Sequence, residues 1–191
     1  MSPVLLIGLA IIVIAIVWMV AMYNGLVQRR LRVDEAWSQI DVQLKRRHDL
    51  IPNLVNAVKG YMGFEQRVLE NVTQARANAV AAGAQGPRAQ AAAEGQLTQA
   101  LRSLFAVAEN YPDLKANRNV LGLQEQLTTT ENQISYARET YNTYVRAYNT
   151  SIATFPAVLM AGMMGFTRRE FFEAEPAAAE VPTVDFSLPG A

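Results

Sequence analysis

Twenty residues without a charge, VLLIGLAIIVIAIVWMVAMY from Val4 to Tyr23, constrain this chain more than anything that follows. At about 1.5 Å per residue, a helix of that length covers about 30 Å, the hydrocarbon thickness of a bilayer. Trp18 and Tyr23 lie toward its later boundary, where amphipathic rings favour headgroups. A cleaved secretion signal fits less well: no Lys or Arg precedes the run, the run is too long, and no small-x-small site follows. Residues 1–25 therefore read as a transmembrane anchor. Arg29, Arg30 and Arg32 come directly after it and join Trp18 and Tyr23 as membrane-interface residues. Their position assigns the rest of the chain to the cytoplasmic side by the positive-inside rule.

Beyond the anchor the apolar residues recur at steps of three and four, the period of a bundle-facing helix. One stripe runs Val33, Trp37, Ile40, Leu44, Ile51, Leu54, Val58, Tyr61, Val68, Val72, Ala75 and Ala79. Arg47 and Glu65 fall on the same stripe and are expected to snorkel from its edge. Pro52 lacks the N–H that would bond back to His48, so it either kinks a long helix or starts a new one. Because the stripe keeps its phase, a kinked and nearly continuous rod is expected, with its first clear break at Gly83–Pro87. A helix from about Arg88 to Glu109 and a turn at NYPDL follow. A last long stripe runs from Val120 to Phe155, a helix of up to about 60 Å that can lie antiparallel to the first rod.

The fold class expected is all-α: an elongated antiparallel bundle of three to four long helices, residues 26–172, continuing from the membrane helix. AVLMAGMMGF, after Phe155-Pro156, is too short for a second span and is expected to pack on the bundle or to meet a partner. Residues 173–191 form an acidic, proline-containing tail. From Asn24 to Leu50 there are six Lys/Arg against four Asp/Glu, and from Glu170 to Ala191 five carboxylates and no cation. A weak, salt-screened attraction between the two ends is therefore expected.

Chemistry is hard to place on this frame. The formal net charge is zero, which argues against a nucleic-acid partner. There is no cysteine, so disulfides, thiolate metal sites and cysteine nucleophiles are excluded. His48 is the single histidine, so the Glu-x-x-His and His-Glu-x-x-His metal patterns are missing, and a triad would depend on His48 alone. No phosphate-cradling loop and no cofactor motif is present. No cofactor is expected, no small-molecule ligand is indicated by any motif, and the chain does not read as an enzyme.

Lys45, Arg46 and Arg47 stand about 22 residues, or roughly 33 Å, beyond Tyr23 on a straight helix. Lipid potential decays over about 8–10 Å, so their partners are expected to be protein. The candidate protein-contact residues are accordingly Lys45, Arg46, Arg47 and His48, together with Met160, Met163, Met164 and Phe166 of the methionine-rich segment.

The stretch WSQIDVQLKRRHDLIPNLVNAVKGYMGFEQRVLENVTQARANA and the later FPAVLMAGMMGFTRREFFEAEPAAAEVPTVDF together resemble the LemA family of bacterial membrane proteins. The resemblance implies a single-pass protein of the bacterial plasma membrane with a helical domain. It brings no catalytic residues to carry over, and some relatives take part in forming magnetosome membranes. The functional expectation is a scaffold or adaptor that associates with itself or with another membrane protein and with the bilayer. The alternative is an accessory or regulatory subunit of a membrane enzyme or protease. A hydrolase using His48 as base is a third reading.

Overall fold

The computed structural model describes residues 2–60 and 65–173. Among them are five α-helices and no strand: α1 Pro3–Lys59, α2 Gln66–Ala82, α3 Pro87–Ala108, α4 Pro112–Lys115 and α5 Arg118–Ala153. A 3₁₀ turn at Ala157–Leu159 follows α5. The all-α bundle continuing from the apolar helix is thus the observed architecture. The tail from residue 174 onward, and Tyr61 of the stripe, lie outside the described residues.

Local sequence sets most of the boundaries. Pro3 and Pro87 stand at the first turns of α1 and α3, where a missing N–H leaves nothing unsatisfied. Gly86, at φ 101°, makes the tight entry to α3 that a residue with a Cβ adopts only under strain. Asn117 caps α5, its side chain accepting from the backbone N–H of Asn119 at 2.9 Å and of Val120 at 3.4 Å. Phe155-Pro156 ends α5, since the residue before a proline is pushed out of the helical region.

α1 is a single helix of 57 residues, with Pro52 inside it. The expected continuity across the proline is therefore observed. The expected extent is not: the rod stops at Lys59, well before Gly83, and α2 is a separate helix. Periodicity could not reveal this, because Leu54 and Val58 before the break and Val72 and Ala79 after it keep the apolar phase and are all buried. Leu69 is buried in α2 where Val68 had been counted. Glu65 is not on a helix face at all; it precedes α2, and its carbonyl accepts from the N–H of Val68 and Leu69.

α1 and α5 pair antiparallel along their length. Arg47 meets Glu131 and Trp37 meets Tyr141, ten residues back on one helix matching ten residues forward on the other. α2 and α3 form a hairpin that packs on the far part of α1. Two apolar cores result. The one nearer the apolar span joins Leu26, Val33, Ile40 and Leu44 to Ile134, Tyr141, Val145 and Tyr148, closed by Phe166 and Phe172. The farther one joins Ile51, Leu54 and Val58 to Leu69, Val72, Leu97, Leu104, Val120 and Leu127.

Candidate functional site

The two cores are divided by charge. Arg47 and His48 fall between Leu44 of the near core and Ile51 of the far one, and Thr130 and Glu131 fall between Leu127 and Ile134 on α5. Into this gap α3 directs Glu94. Its Oε1 accepts from His48 Nε2 at 2.7 Å and from Gln90 Nε2 at 2.9 Å, and its Oε2 lies 3.3 Å from Arg47 Nη1. The same Arg47 nitrogen lies 3.2 Å from Glu131 Oε2, while Nη2 donates to Thr98 Oγ1 at 2.7 Å. Arg47 and Glu94 are only 3% and 5% exposed. Charges this deep are held by pairing, because an unpaired one would lose several kcal/mol of hydration.

Two expectations are corrected here. Arg47 does not snorkel from the seam; it crosses the interior to carboxylates on two other helices. His48 is not without a companion, since it donates to Glu94. Both residues are committed to internal bonds, which removes them from the surface open to a partner. Lys45 and Arg46 remain exposed, with no ion pair among the described residues. The available signal was the charge on each stripe: Glu94 continues the buried series Gln90, Leu97, Leu101 and Leu104 just as Arg47 continues that of α1.

The carboxylate–imidazole contact is the one pairing here that could move a proton. Glu94 ties Arg47 and His48 of α1 to α3, and Glu131 ties Arg47 to α5, so the arrangement locks three helices in register. Among the described residues no cluster of three or more His, Cys, Asp or Glu is placed to hold a metal.

Pro52 adds a related device. Its ring removes the N–H that would bond the His48 carbonyl, and that carbonyl instead accepts from Arg76 Nε on α2 at 2.7 Å. The helix defect is thereby a docking point for the hairpin.

The second constellation straps the chain's later residues to α5. Tyr141-Asn142 and Tyr148-Asn149 are identical dipeptides seven residues apart. Asn142 accepts from the Phe172 N–H at 2.9 Å and donates to the Phe172 carbonyl at 3.4 Å. Asn149 does the same with Arg169, at 2.9 and 2.8 Å. Tyr141 donates to the Glu170 carbonyl and Tyr148 to that of Thr167, each two residues earlier than its neighbour's partner. Seven helical residues advance about 10.5 Å and three extended residues about 10 Å, so the two repeats stay in step. Burial pushes the Tyr141 hydroxyl up to about 12; Asp34 and Glu170 add to this and Arg169 opposes it. Burial raises Tyr148 as well.

The strap also meets α1. Arg169 Nη2 lies 2.8 Å from Asp34 Oδ1, an exposed pair that ties the strap to α1, while most of the acidic residues expected to attract the early cations lie outside the described residues. Phe172 tilts against Trp37 at 5.8 Å. Phe166 lies edge-on to Tyr23 at 5.5 Å, under the Arg30 guanidinium at 5.6 Å. Phe166 is therefore buried and Met164 half-buried, whereas Met163 is exposed and Met160 intermediate. Of the interface residues, Trp18, Tyr23, Arg29 and Arg32 are exposed and Arg30 is half-buried. The strap bonds, Glu94 and Arg76 escaped sequence reasoning; the Tyr-Asn repeat was the one visible trace of the strap.

A helical bundle built on a helix with an apolar window of mean hydropathy 3.2, none of it buried in the protein, defines a membrane-associated all-α protein. The sequence pattern of the LemA family matches residues 36–186, and the chain belongs to that family. It is similar to magnetosome protein MamQ 2 of Paramagnetospirillum magneticum, 27% identical over 179 residues that cover 81% of this chain. MamQ of Magnetospirillum gryphiswaldense is 26% identical over the same span, and the chain covers 66% of the length of either relative, just under two thirds. Protein LemA of Metamycoplasma hominis is 26% identical over 164 residues, 85% of this chain and 72% of that one.

Proposed function

We propose that this chain is a membrane-anchored, non-enzymatic scaffold that associates with copies of itself and displays a rigid helical surface on the cytoplasmic side of a bacterial plasma membrane. The observation that carries the reading is the continuity of α1, one helix from the apolar run to the far core. Anchor and bundle then move as one body, which suits organisation of a membrane surface better than turnover of a substrate. Relatives named as magnetosome proteins support a role in membrane organisation.

The strap covers one side of the α1/α5 pair. Another side is a shallow groove lined by Gln39, Val42, Gln43, Asn132, Gln133 and Tyr136. Val42 is 61% and Tyr136 73% exposed, and Gln43 Oε1 is buried with no partner. An apolar pair ringed by amides fits a second helix of the same kind. A photocrosslinker at Val42 or Tyr136 in native membranes is expected to yield a covalent dimer. A chain that remains single under these conditions refutes self-association.

A second reading, an accessory subunit of a membrane enzyme or protease that docks through the methionine-rich segment, draws on the exposed Met163. Under it, Met163→Ser releases a co-purifying membrane protein that Arg46→Glu retains. Retention by both variants removes this reading.

A further inference from the structure

We infer that the turn following α5, residues 155–163, is a second membrane contact that seats the bundle on the lipid surface beside the anchor. This rests on the membrane-anchor reading of α1. The pairing register supplies the first argument. Trp37 lies opposite Tyr141, so twelve residues back along α1 and twelve forward along α5 bring Gly25 level with Ala153, the last residue of α5. Tyr23 ends the apolar run two residues before Gly25. The chain that leaves α5 therefore emerges at the lipid boundary.

Contacts give the same level independently. Phe166 touches Tyr23 at 5.5 Å, and its N–H donates to the Ala161 carbonyl at 2.9 Å, which holds the turn against the last residue of the span. Thr154 shares a surface groove with Arg29.

The composition and burial of the turn supply the third argument. FPAVLMAGMMGF, Phe155 to Phe166, carries no charge. Its inner side, Ala157, Ala161 and Phe166, is buried in the near core. Its outer side presents Phe155 at 79%, Leu159 at 66% and Met163 at 80% exposure, with Val158 also exposed. Such residues in one short turn form a patch that water does not favour, and interfacial segments of this kind bury their apolar side about 5–10 Å into a bilayer. Lipid is the occupant favoured because the patch is continuous with a helix whose own apolar surface is bare.

The chain lacks cysteine, so single-cysteine variants of the full protein can each carry one environment-sensitive fluorophore. Ile12→Cys, Leu159→Cys, Met163→Cys and Tyr136→Cys are placed in phosphatidylcholine–phosphatidylglycerol vesicles with brominated acyl chains. Labels at 159 and 163 are expected to lose emission as the label at 12 does, while the label at 136 keeps it. If 159 and 163 behave like 136 while 12 is quenched, the turn does not touch lipid and the inference fails alone. If 12 is not quenched either, the anchor reading fails with it. Protection of 159 and 163 from aqueous iodide without loss to brominated lipid assigns the patch to a protein partner and also overturns the inference.

Discussion

Arg76 donates to the backbone carbonyl of His48 across the gap between α2 and α1, at 2.7 Å, and that carbonyl is free only because Pro52 follows four residues later. The bond ties a break in one helix's ladder to the placement of another helix. Arg76→Ala is expected to destabilise the bundle by about 1–3 kcal/mol, the range for leaving a buried acceptor unsatisfied. Adding Pro52→Ala restores an N–H for the same carbonyl, so the Arg76 substitution becomes milder in that background. Thermal unfolding of the two single variants and the double variant in detergent measures the coupling; strict additivity would show that the two residues act separately.

Glu94 and Glu131 face the same guanidinium from opposite settings. Glu94→Ala is expected to remove about 3–5 kcal/mol, because Arg47 and His48 would keep their burial and lose their shared acceptor. The Glu131 side chain is 47% exposed, and Glu131→Ala is expected to cost about 1 kcal/mol or less. Comparable losses in denaturant titration would contradict the burial argument.

The strap predicts an ordered loss of protection. Asn142 is buried and clamps both backbone groups of Phe172, so Asn142→Ala is expected to cost about 1–3 kcal/mol. Asn149 makes the same clamp at an exposed position, where about 0.5–1.5 kcal/mol is expected. Hydrogen exchange at the amides of Phe172 and Arg169 should rise selectively in the respective variant.

Alkaline pH should loosen the same region. The folded chain holds the Tyr141 proton up to about 12, above its ordinary value of 10.0, so folding favours the protonated hydroxyl. The resulting stability is complete below about pH 10 and is lost as the pH rises toward 12, where the folded state must also ionise. Tyr141→Phe lacks this proton and should show a flatter decline in melting temperature over that window.

Gly86 offers a backbone test. At φ 101° an alanine is strained, and its Cβ would meet Glu170 Oε2 at 3.4 Å. Gly86→Ala is expected to destabilise by about 1–2 kcal/mol in the same unfolding assay. Gly95→Ala, where a Cβ meets nothing within 4 Å, should be neutral or stabilising.

The apolar frame was legible because burial imposes a period: the span, the α1 and α5 stripes and the Pro52 continuity all follow from it. Three features were not. The end of α1 at Lys59 leaves the stripe in phase, so nothing in the spacing marks it. Arg47 on a core position looked like an edge residue because its partner Glu94 is 47 positions away, and one sequence pairs no distant charges. The strap uses side-chain bonds to backbone, which leave no hydrophobic pattern; only the repeated Tyr-Asn hinted at a seven-residue register.

A helix continuous from the apolar run to the far core is, on the membrane-anchor reading proposed above, also a lever. From Asn24 to Ile51, before the proline, α1 extends about 42 Å past the apolar run. Tilting is one way a spanning helix meets a change in membrane thickness, and about ten degrees of tilt would swing the far end by about 7 Å. The α2–α3 hairpin rides on that end. On that reading a change in bilayer thickness is expected to displace the bundle's tip sideways, which distances from a label on α3 to headgroup labels, in vesicles of short and long acyl chains, would register.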